Sequence, residues 1–349
     1  FQGGAAGHFS YELAAQIEQL PMVGSKQPLV PPARWVVGDV VFALDHSRGE
    51  AWAISQGWPE ESRRRATRAR ERLETAVAEW EAASAAAAAL SPTPNATDAG
   101  GPVKVRDAMA QGVEANLDAA EYRTSFARLH RYLVDGHLYQ ANLSISYHVF
   151  RRLDPWRVYR ALATRSPAPY SCFLQGEPAS IASASPELFL RRRGRLLVSR
   201  PIKGTRPRST TPATDEALAA ELLASQKDMA EHVMIVDVHR NDLGRVAEFG
   251  SVRVTEPWQL ESFATLHHMT STIEARVAGG LRLLDPVRAA FPAGSITGAP
   301  KIRAMEVLAE LEPHARGAYT GALGWISPDG DFDLSVGIRT VTLTDSVVE

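Results

Sequence analysis

Along residues 118–133 apolar side chains recur at Tyr122, Phe126, Leu129 and Leu133. Steps of three and four place them on one face of a helix, and Asp135-Gly136 supplies its stop. The period then changes to two. From Tyr139 to Val149 the odd positions Tyr139, Ala141, Leu143, Ile145, Tyr147 and Val149 are mostly apolar, while Gln140, Asn142, Ser144 and Ser146 point the other way. This predicts a strand with one polar face, either a wall of a site or a side facing solvent. A hairpin follows, with Ser185-Pro186-Glu187-Leu188-Phe189-Leu190 on one arm, a turn at Arg193-Gly194, and Leu196-Leu197-Val198-Ser199 on the other. Centring the turn between Arg193 and Gly194 sets Glu187 opposite Arg200, with Lys203 a few residues beyond.

Between Ser225 and Val238 the residues Asp228, Glu231, His232 and Ile235 share one side of a second helix, and Gly244 is placed to end it. Glu231 lies among Met229, Val233, Met234, Ile235 and Val236. A carboxylate in so apolar a run is either paired or holds a cation, because an isolated buried one is costly. Asp228 and Glu231 are therefore candidate metal ligands, with solvated helix residues as the alternative. The run Phe291-Pro292-Ala293-Gly294-Ser295-Ile296-Thr297-Gly298-Ala299-Pro300-Lys301 reads as a loop feeding a helix whose inward face carries Ile302, Met305 and Ala309. Its free amides suit an anion, although capping by Ser295 or Thr297 accounts for the same residues. It is not a P-loop, since Lys301 is not followed by Ser or Thr where that motif needs one.

A last strand pair runs over Ala322–Ser327 and Asp331–Thr344, joined by Pro328-Asp329-Gly330. Phe332, Leu334, Val336 and Ile338 alternate, but Val341 and Leu343 take the other parity, which predicts a bulge near Arg339-Thr340. An arginine there is placed to grip a substrate carboxylate with its forked donors, or else pairs with Asp331 or Asp333. One stretch departs from these periods. Residues Glu60 to Glu81 are rich in Arg, Ala and Glu and read as a helix with a solvated charged face, followed from Ala82 to Gly101 by an alanine-rich and then Pro/Asn/Thr/Asp/Gly-rich linker. This stretch divides the chain into residues 1–58, a helix and linker insertion (59–101) and residues 102–349, which the family resemblance given below implies are a partial N-terminal sheet region and a catalytic domain.

Composition narrows the function. At 45% hydrophobic content the 349 residues can bury a large core, and 38 basic against 40 acidic residues leave a charge of −2, so nothing favours nucleic acid or a membrane surface as partner. The ligand is expected to be small. Cys172 is the single cysteine; that excludes an internal disulfide, fits a reducing, cytoplasmic setting, and leaves the residue as core. No apolar run approaches the roughly 20 residues of a membrane span. The chain opens at Phe1-Gln2 with no methionine, as a fragment does.

The residue with the most chemical promise is Lys203, in Arg200-Pro201-Ile202-Lys203-Gly204-Thr205-Arg206-Pro207-Arg208. A lysine between a stiffening proline and a permissive glycine can be aimed and used as nucleophile or base. Glu187 converges on it at the open end of the hairpin, a surface salt bridge being the plainer alternative.

Taken in order, the opening GGAAGHFSYEL, SPELF, RPIKGTRPR, SQKDMAEHVMIVDVHRNDLGRV, LHHMTSTI, FPAGSITGAPKIRAMEVLAELEP and GIRT resemble the chorismate-utilising enzymes over nearly the whole chain outside the linker. Within that family the resemblance is to the branch of aminodeoxychorismate synthase component I. It implies an α+β sandwich of large antiparallel sheets flanked by helices, with the active site in the cleft between them. It implies Mg²⁺ held by Glu231 with Asp228 beside it, His268 as the active-site histidine, and Gly294, Ser295, Thr205 and Arg339 as substrate-binding groups. Glu187 matches a general acid or base. Lys203 matches a lysine whose amine attacks C2 of chorismate and expels the C4 hydroxyl, after which ammonia from a glutamine amidotransferase subunit or fused domain adds at C4 and releases it. Since lysine is ordinarily an ammonium ion at neutral pH, the site must supply a base or repel the charge, for which Glu187, Arg206 and Arg208 are candidates.

Two features depart from the family pattern. Trp325 stands where the family carries the tyrosine of a Gly-Tyr pair, replacing a substrate-contacting hydroxyl by an indole that can only donate. The family also begins before Gly3 and continues past Glu349 with a glycine-rich loop and an acidic cluster, so the resemblance implies an incomplete enzyme with weak metal affinity. Anthranilate synthase component I, which usually has alanine at the Lys203 position, and salicylate or isochorismate synthase are the alternative activities. A degenerate chorismate-binding subunit of an amidotransferase complex is the non-catalytic one, against which the retained Glu187, Lys203, Glu231, His268 and Arg339 count.

Overall fold

The computed structural model describes residues 1–20, 27–89 and 112–349. Its architecture is the expected α+β one, and every paired strand is antiparallel to its neighbour. The centre is a nine-stranded sheet organised around one long strand, Leu266–Arg276. Along one side of that strand pair first Leu196–Arg200 and then Ile202–Pro207, while Arg253–Ser262 lies along its other side. Leu188–Arg193, Phe332–Val336, Ala322–Ile326, Gly4–Phe9 and Ala33–Gly38 continue the sheet outward from Leu196–Arg200. Helix Gln226–Gly244 covers the strands Ile202–Pro207 and Leu266–Arg276. Phe189, Leu190, Leu197, Val236, Leu243, Ile273, Phe291 and Phe332 close the core between sheet and helices, each contributing about 1.5–3 kcal/mol of burial.

A smaller sheet of Tyr170–Leu174, Ser180–Ser185 and Thr340–Leu343 stands beside the large one. Strand Phe332–Val336 belongs to the large sheet and Thr340–Leu343 to the small one, so the parity change at Arg339 marks a crossing between sheets rather than a bulge within one. Arg339 makes that crossing in the left-handed region, at φ 50°.

Four further expectations need correction. The turn of the hairpin is Gly194-Arg195, which pairs Arg193 with Leu196, and a register shift then sets Leu188 opposite Arg200; Glu187 lies one residue beyond. Gly194 at φ 55° accounts for the difference, since only the glycine accepts that conformation cheaply. Residues 139–149 form two short strands, Gln140–Ala141 and Tyr147–Val149, in place of one. Of the two readings of the polar face the inward one holds for Ser144 and Ser146, which lie buried between these strands, while Tyr139 and Tyr147 are exposed. On helix Lys301–Leu311 the buried face is Ala304, Met305, Val307, Leu308 and Leu311, and Ile302 is exposed.

Helix Ser62–Ala89 runs on past Glu81 through the alanines, the best helix formers. The expected linker from residue 90 onward lies outside the described residues. Helix Ala119–Val134 begins at a capping box of Asp118 and Glu121, and helix Gln226–Gly244 ends at its glycine as the sequence suggested. Among the described residues no helix is long and apolar enough to cross a membrane.

Candidate active site

Lys203 sits where the strand Ile202–Pro207 slips register against the long strand, between the pairs Ile202 with Thr270 and Thr205 with His268. Gly204 permits that excursion. It holds φ 88°, and a Cβ there would approach Leu222 Cδ1 to 2.9 Å. The result turns Lys203 toward helix Gln226–Gly244, where its Nζ lies 3.2 Å from Glu231 Oε1 with 13% of the side chain exposed. Glu231 also accepts a hydrogen bond from Gln140 Nε2 at 2.8 Å.

Glu187 is buried at the start of strand Leu188–Arg193. Its carboxyl accepts from Ser295 Oγ at 2.5 Å and from the backbone N–H of Ile202, and it faces the Lys203 ammonium. Burial pushes its pKa up to about 7, against the downward pull of Ser295 and Lys203. Ser295 belongs to the short helical turn Gly294–Thr297, which packs on the long helix so closely that a Cβ at Gly294 would meet Val238 Cγ1 at 2.5 Å.

His268 is buried on the long strand, between Thr205 and the sheet crossing. Its Nε2 is 3.1 Å from Arg339 Nη2 and its Nδ1 is 2.9 Å from Thr205 Oγ1. Because a guanidinium can only donate, Nε2 is the acceptor and Nδ1 carries the proton. Burial, and then the charge of Arg339, lower the imidazole pKa to about 4, so the ring is neutral near pH 7. Arg339 also donates to Ser166 Oγ at 3.0 Å. It does not pair with Asp331 or Asp333: Asp333 takes Arg191 and Arg193, and among the described residues no carboxylate lies within ion-pair distance of Arg339. Burial lowers its pKa.

The structure thus brings together Lys203, Glu187, Glu231, His268, Thr205, Gly294, Ser295 and Arg339. Trp325 stays outside. Its ring contacts Phe1 at 5.0 Å and the Arg193 guanidinium at 4.8 Å, near the turn of the hairpin, whereas Glu187 lies at the hairpin's open end. Asp228 is committed to Arg206 at 2.9 Å; the Ser225 cap and that guanidinium hold its carboxyl below the usual range. Arg206 and Arg208 are neutralised by Glu221, Asp228 and Asp215, so they do not act on Lys203 as free charges.

For a metal ion, no group of three or more His, Cys, Asp or Glu gathers among the described residues. Glu231 fits as a single carboxylate ligand with a partly exposed edge, which suits an ion that keeps several waters and takes substrate oxygens. Beside it the Oε1 of Gln140 is buried with no hydrogen-bond partner. Gln140 and Asn142, whose Nδ2 donates to the Ser295 carbonyl at 3.3 Å, are site residues that sequence reasoning did not single out. The polar face of 140–146 was their signal.

An amine flanked by one titratable buried acid and one carboxylate, beside a neutral imidazole and a guanidinium free of carboxylates, suits acid–base or nucleophilic chemistry on a small anion. Comparison with known proteins agrees with that class. Residues 2–349 match the family described as chorismate binding enzyme. Anthranilate synthase component 1 of Streptomyces coelicolor is 39% identical, over 100% of this chain and 67% of its own length. Aminodeoxychorismate synthase component 1 of Klebsiella aerogenes is 38% identical, over 98% of this chain and 69% of its own. The crystal structure of anthranilate synthase component I from Streptococcus pneumoniae superposes with a TM-score of 0.84 at 28% identity, covering 100% of this chain and 74% of that one.

Proposed function

This chain belongs to the chorismate-binding enzyme family, and we propose that within it the site aminates chorismate at C4, giving 4-amino-4-deoxychorismate. The observation that carries the reading is Lys203, whose Nζ is held in the site by Glu231 at 3.2 Å while it faces the buried acid Glu187. Anthranilate synthase relatives are as similar as aminodeoxychorismate synthase relatives, so overall identity does not choose between a 2-amino and a 4-amino product. A nucleophile aimed into the site favours the second.

In this mechanism Glu187 takes a proton from Lys203, and the neutral amine forms a bond to C2 as the ring double bonds shift and the C4–O bond breaks. Glu187 returns the proton to the leaving hydroxyl, which departs as water. Ammonia then bonds to C4, the electrons shift back, and the C2–Nζ bond breaks to free Lys203. A pKa of about 7 suits Glu187 to both transfers at neutral pH. Arg339 and Ser295 bind substrate carboxylates, and neutral His268 holds the Arg339 fork in place. Magnesium on Glu231, when bound, neutralises carboxylate charge on the substrate. The ammonia source is a glutamine amidotransferase partner, in keeping with the component 1 names of the relatives.

The test incubates the protein with chorismate, Mg²⁺ and ammonium chloride, then adds an aminodeoxychorismate lyase. Formation of 4-aminobenzoate supports the assignment; fluorescent anthranilate or salicylate refutes it.

A further inference from the structure

Both carboxylates of the site are steadied by residues from elsewhere in the chain, Glu187 by Ser295 and Glu231 by Gln140. Those two supporting segments meet. Strand Gln140–Ala141 pairs with Gly298–Ala299, the Asn142 N–H donates to the Thr297 carbonyl at 3.0 Å, and Asn142 Nδ2 donates to the Ser295 carbonyl at 3.3 Å. Behind the junction lies one guanidinium. Arg316, with 1% of its side chain exposed, donates from Nη2 to the Asn142 carbonyl at 2.6 Å and from Nη1 to the Ile296 carbonyl at 3.3 Å.

We propose that Arg316 is the positioning residue of the active site, a buried fork that sets the Ser295 loop and the Gln140 segment in register and thereby aligns Glu187 and Glu231 on Lys203. It touches neither carboxylate of the site and acts on both through these two segments.

The anchoring of Arg316 is what makes it a fixed reference. Glu312 takes it in a two-pronged pair, Nε to Oε2 at 2.9 Å and Nη2 to Oε1 at 2.6 Å, and the guanidinium lies 4.6 Å from the Tyr11 ring centroid. Ser144 ties Glu312 back to the Gln140 segment through its N–H at 2.8 Å and its hydroxyl at 2.9 Å. A third link runs from Nη1 to Thr320 Oγ1 at 3.4 Å, and the Thr320 N–H donates to the Gly337 carbonyl at 2.7 Å, two residues before Arg339. One planar group thus reaches the segments bearing Gln140, Ser295 and Arg339. Lysine retains the charge but not the fork, and cannot hold two carbonyls and a carboxylate in one plane.

Because the inference rests on the chorismate reading of the site, the test follows chorismate consumption, whichever amino product forms, together with hydrogen exchange of the intact chain. In Arg316→Lys, kcat falls roughly 10–100-fold while KM changes by less than about threefold, since displaced catalytic groups cost turnover more than binding. Amides of 140–143 and 294–299 lose protection in the same variant. Glu312→Gln, a milder change to the anchor, shows the same pattern at smaller size and serves if Arg316→Lys does not fold. Leu197→Ala, a core truncation toward the turn of the hairpin, controls for general loss of stability. The inference is overturned if both anchor variants keep wild-type kcat, if the two segments keep their protection, or if the losses match those of Leu197→Ala. A wild-type chain that leaves chorismate untouched refutes the chorismate reading instead, and the exchange measurement still decides the role of Arg316.

Discussion

Glu187→Gln makes the protein more stable in mildly basic solution and removes one component of its pH dependence. The buried carboxyl has its pKa raised from 4.5 to about 7 by burial. A raised folded pKa means that the folded state holds its proton more tightly than the unfolded chain. The stabilisation is therefore fully present below pH 4.5 and is lost as pH rises through 7. At about 1.4 kcal/mol per pH unit, that interval corresponds to roughly 3 kcal/mol between pH 4 and pH 8. An amide of the same shape has no proton to lose, and its carbonyl still accepts from Ser295. The measurement is urea unfolding of both proteins at intervals from pH 4 to 8.5, read as the difference in stability. Taking that difference cancels the buried histidines His8, His232, His239 and His268, whose lowered pKa values favour the fold as pH rises instead. The expected curve is flat at low pH and climbs in favour of the glutamine variant by roughly 3 kcal/mol toward pH 8. A difference that does not change with pH refutes the claim that Glu187 titrates near neutrality.

Lys203→Ala abolishes formation of the 4-amino product in the lyase-coupled assay, and undiminished turnover removes the lysine from the mechanism. Lys301→Met strips the buried Asp242, 2.5 Å from Lys301 Nζ, of its counter-charge; thermal and urea unfolding should show a loss of about 3–5 kcal/mol. Adding Asp242→Asn should recover much of it, and no recovery means that Lys301 acts through packing alone. In Glu231→Gln, Lys203 loses its carboxylate partner and turns to Glu187, so the rise in stability of Glu187→Gln over its parent, repeated in this background, shifts to lower pH; an unchanged curve shows that Glu231 does not hold the lysine.

Local structure was legible wherever one strong local cause acts. The capping box at Asp118 and the apolar steps of helix Ala119–Val134 agree with each other, as do the alternating Phe332, Leu334 and Val336. The parity break at Arg339 was readable as a change of face, but the sequence does not say that the new partner, Ser180–Ser185, belongs to another sheet. Along 140–146 polarity alone could not choose between a site wall and a solvent face, because the interior there is itself polar. Glu312, Arg316 and Ser295 draw Asn142 and Ser144 inward, and Tyr139 is left outside. A motif points Trp325 toward the site, but packing does not; its strand reaches the level of Glu187 near Leu323, opposite Ser335, and Trp325 lies two residues nearer the turn. The pairing of Lys203 with Glu231 depends on the Gly204 excursion and on where helix Gln226–Gly244 lies, neither of which residue spacing specifies.

That pairing has a consequence for Glu187. Two unit charges 4 Å apart at an effective dielectric constant of 20 attract by about 4 kcal/mol, equivalent to roughly three pH units. A direct hydrogen-bonded ion pair between Lys203 and Glu187 would thus cancel the effect of burial and return the carboxyl to the ordinary acidic range, where it is a poor proton donor at pH 7. The fold avoids this by giving the close contact to Glu231, which is partly exposed, and leaving Glu187 with neutral donors, the Ser295 hydroxyl and the Ile202 amide. In the proposed mechanism one carboxylate orients the lysine and the other exchanges protons. Ser295 and Gln140 each hold one of these acids by a hydrogen bond, so the proposed division of labour depends on the polar junction behind them as well as on the residues in the cleft.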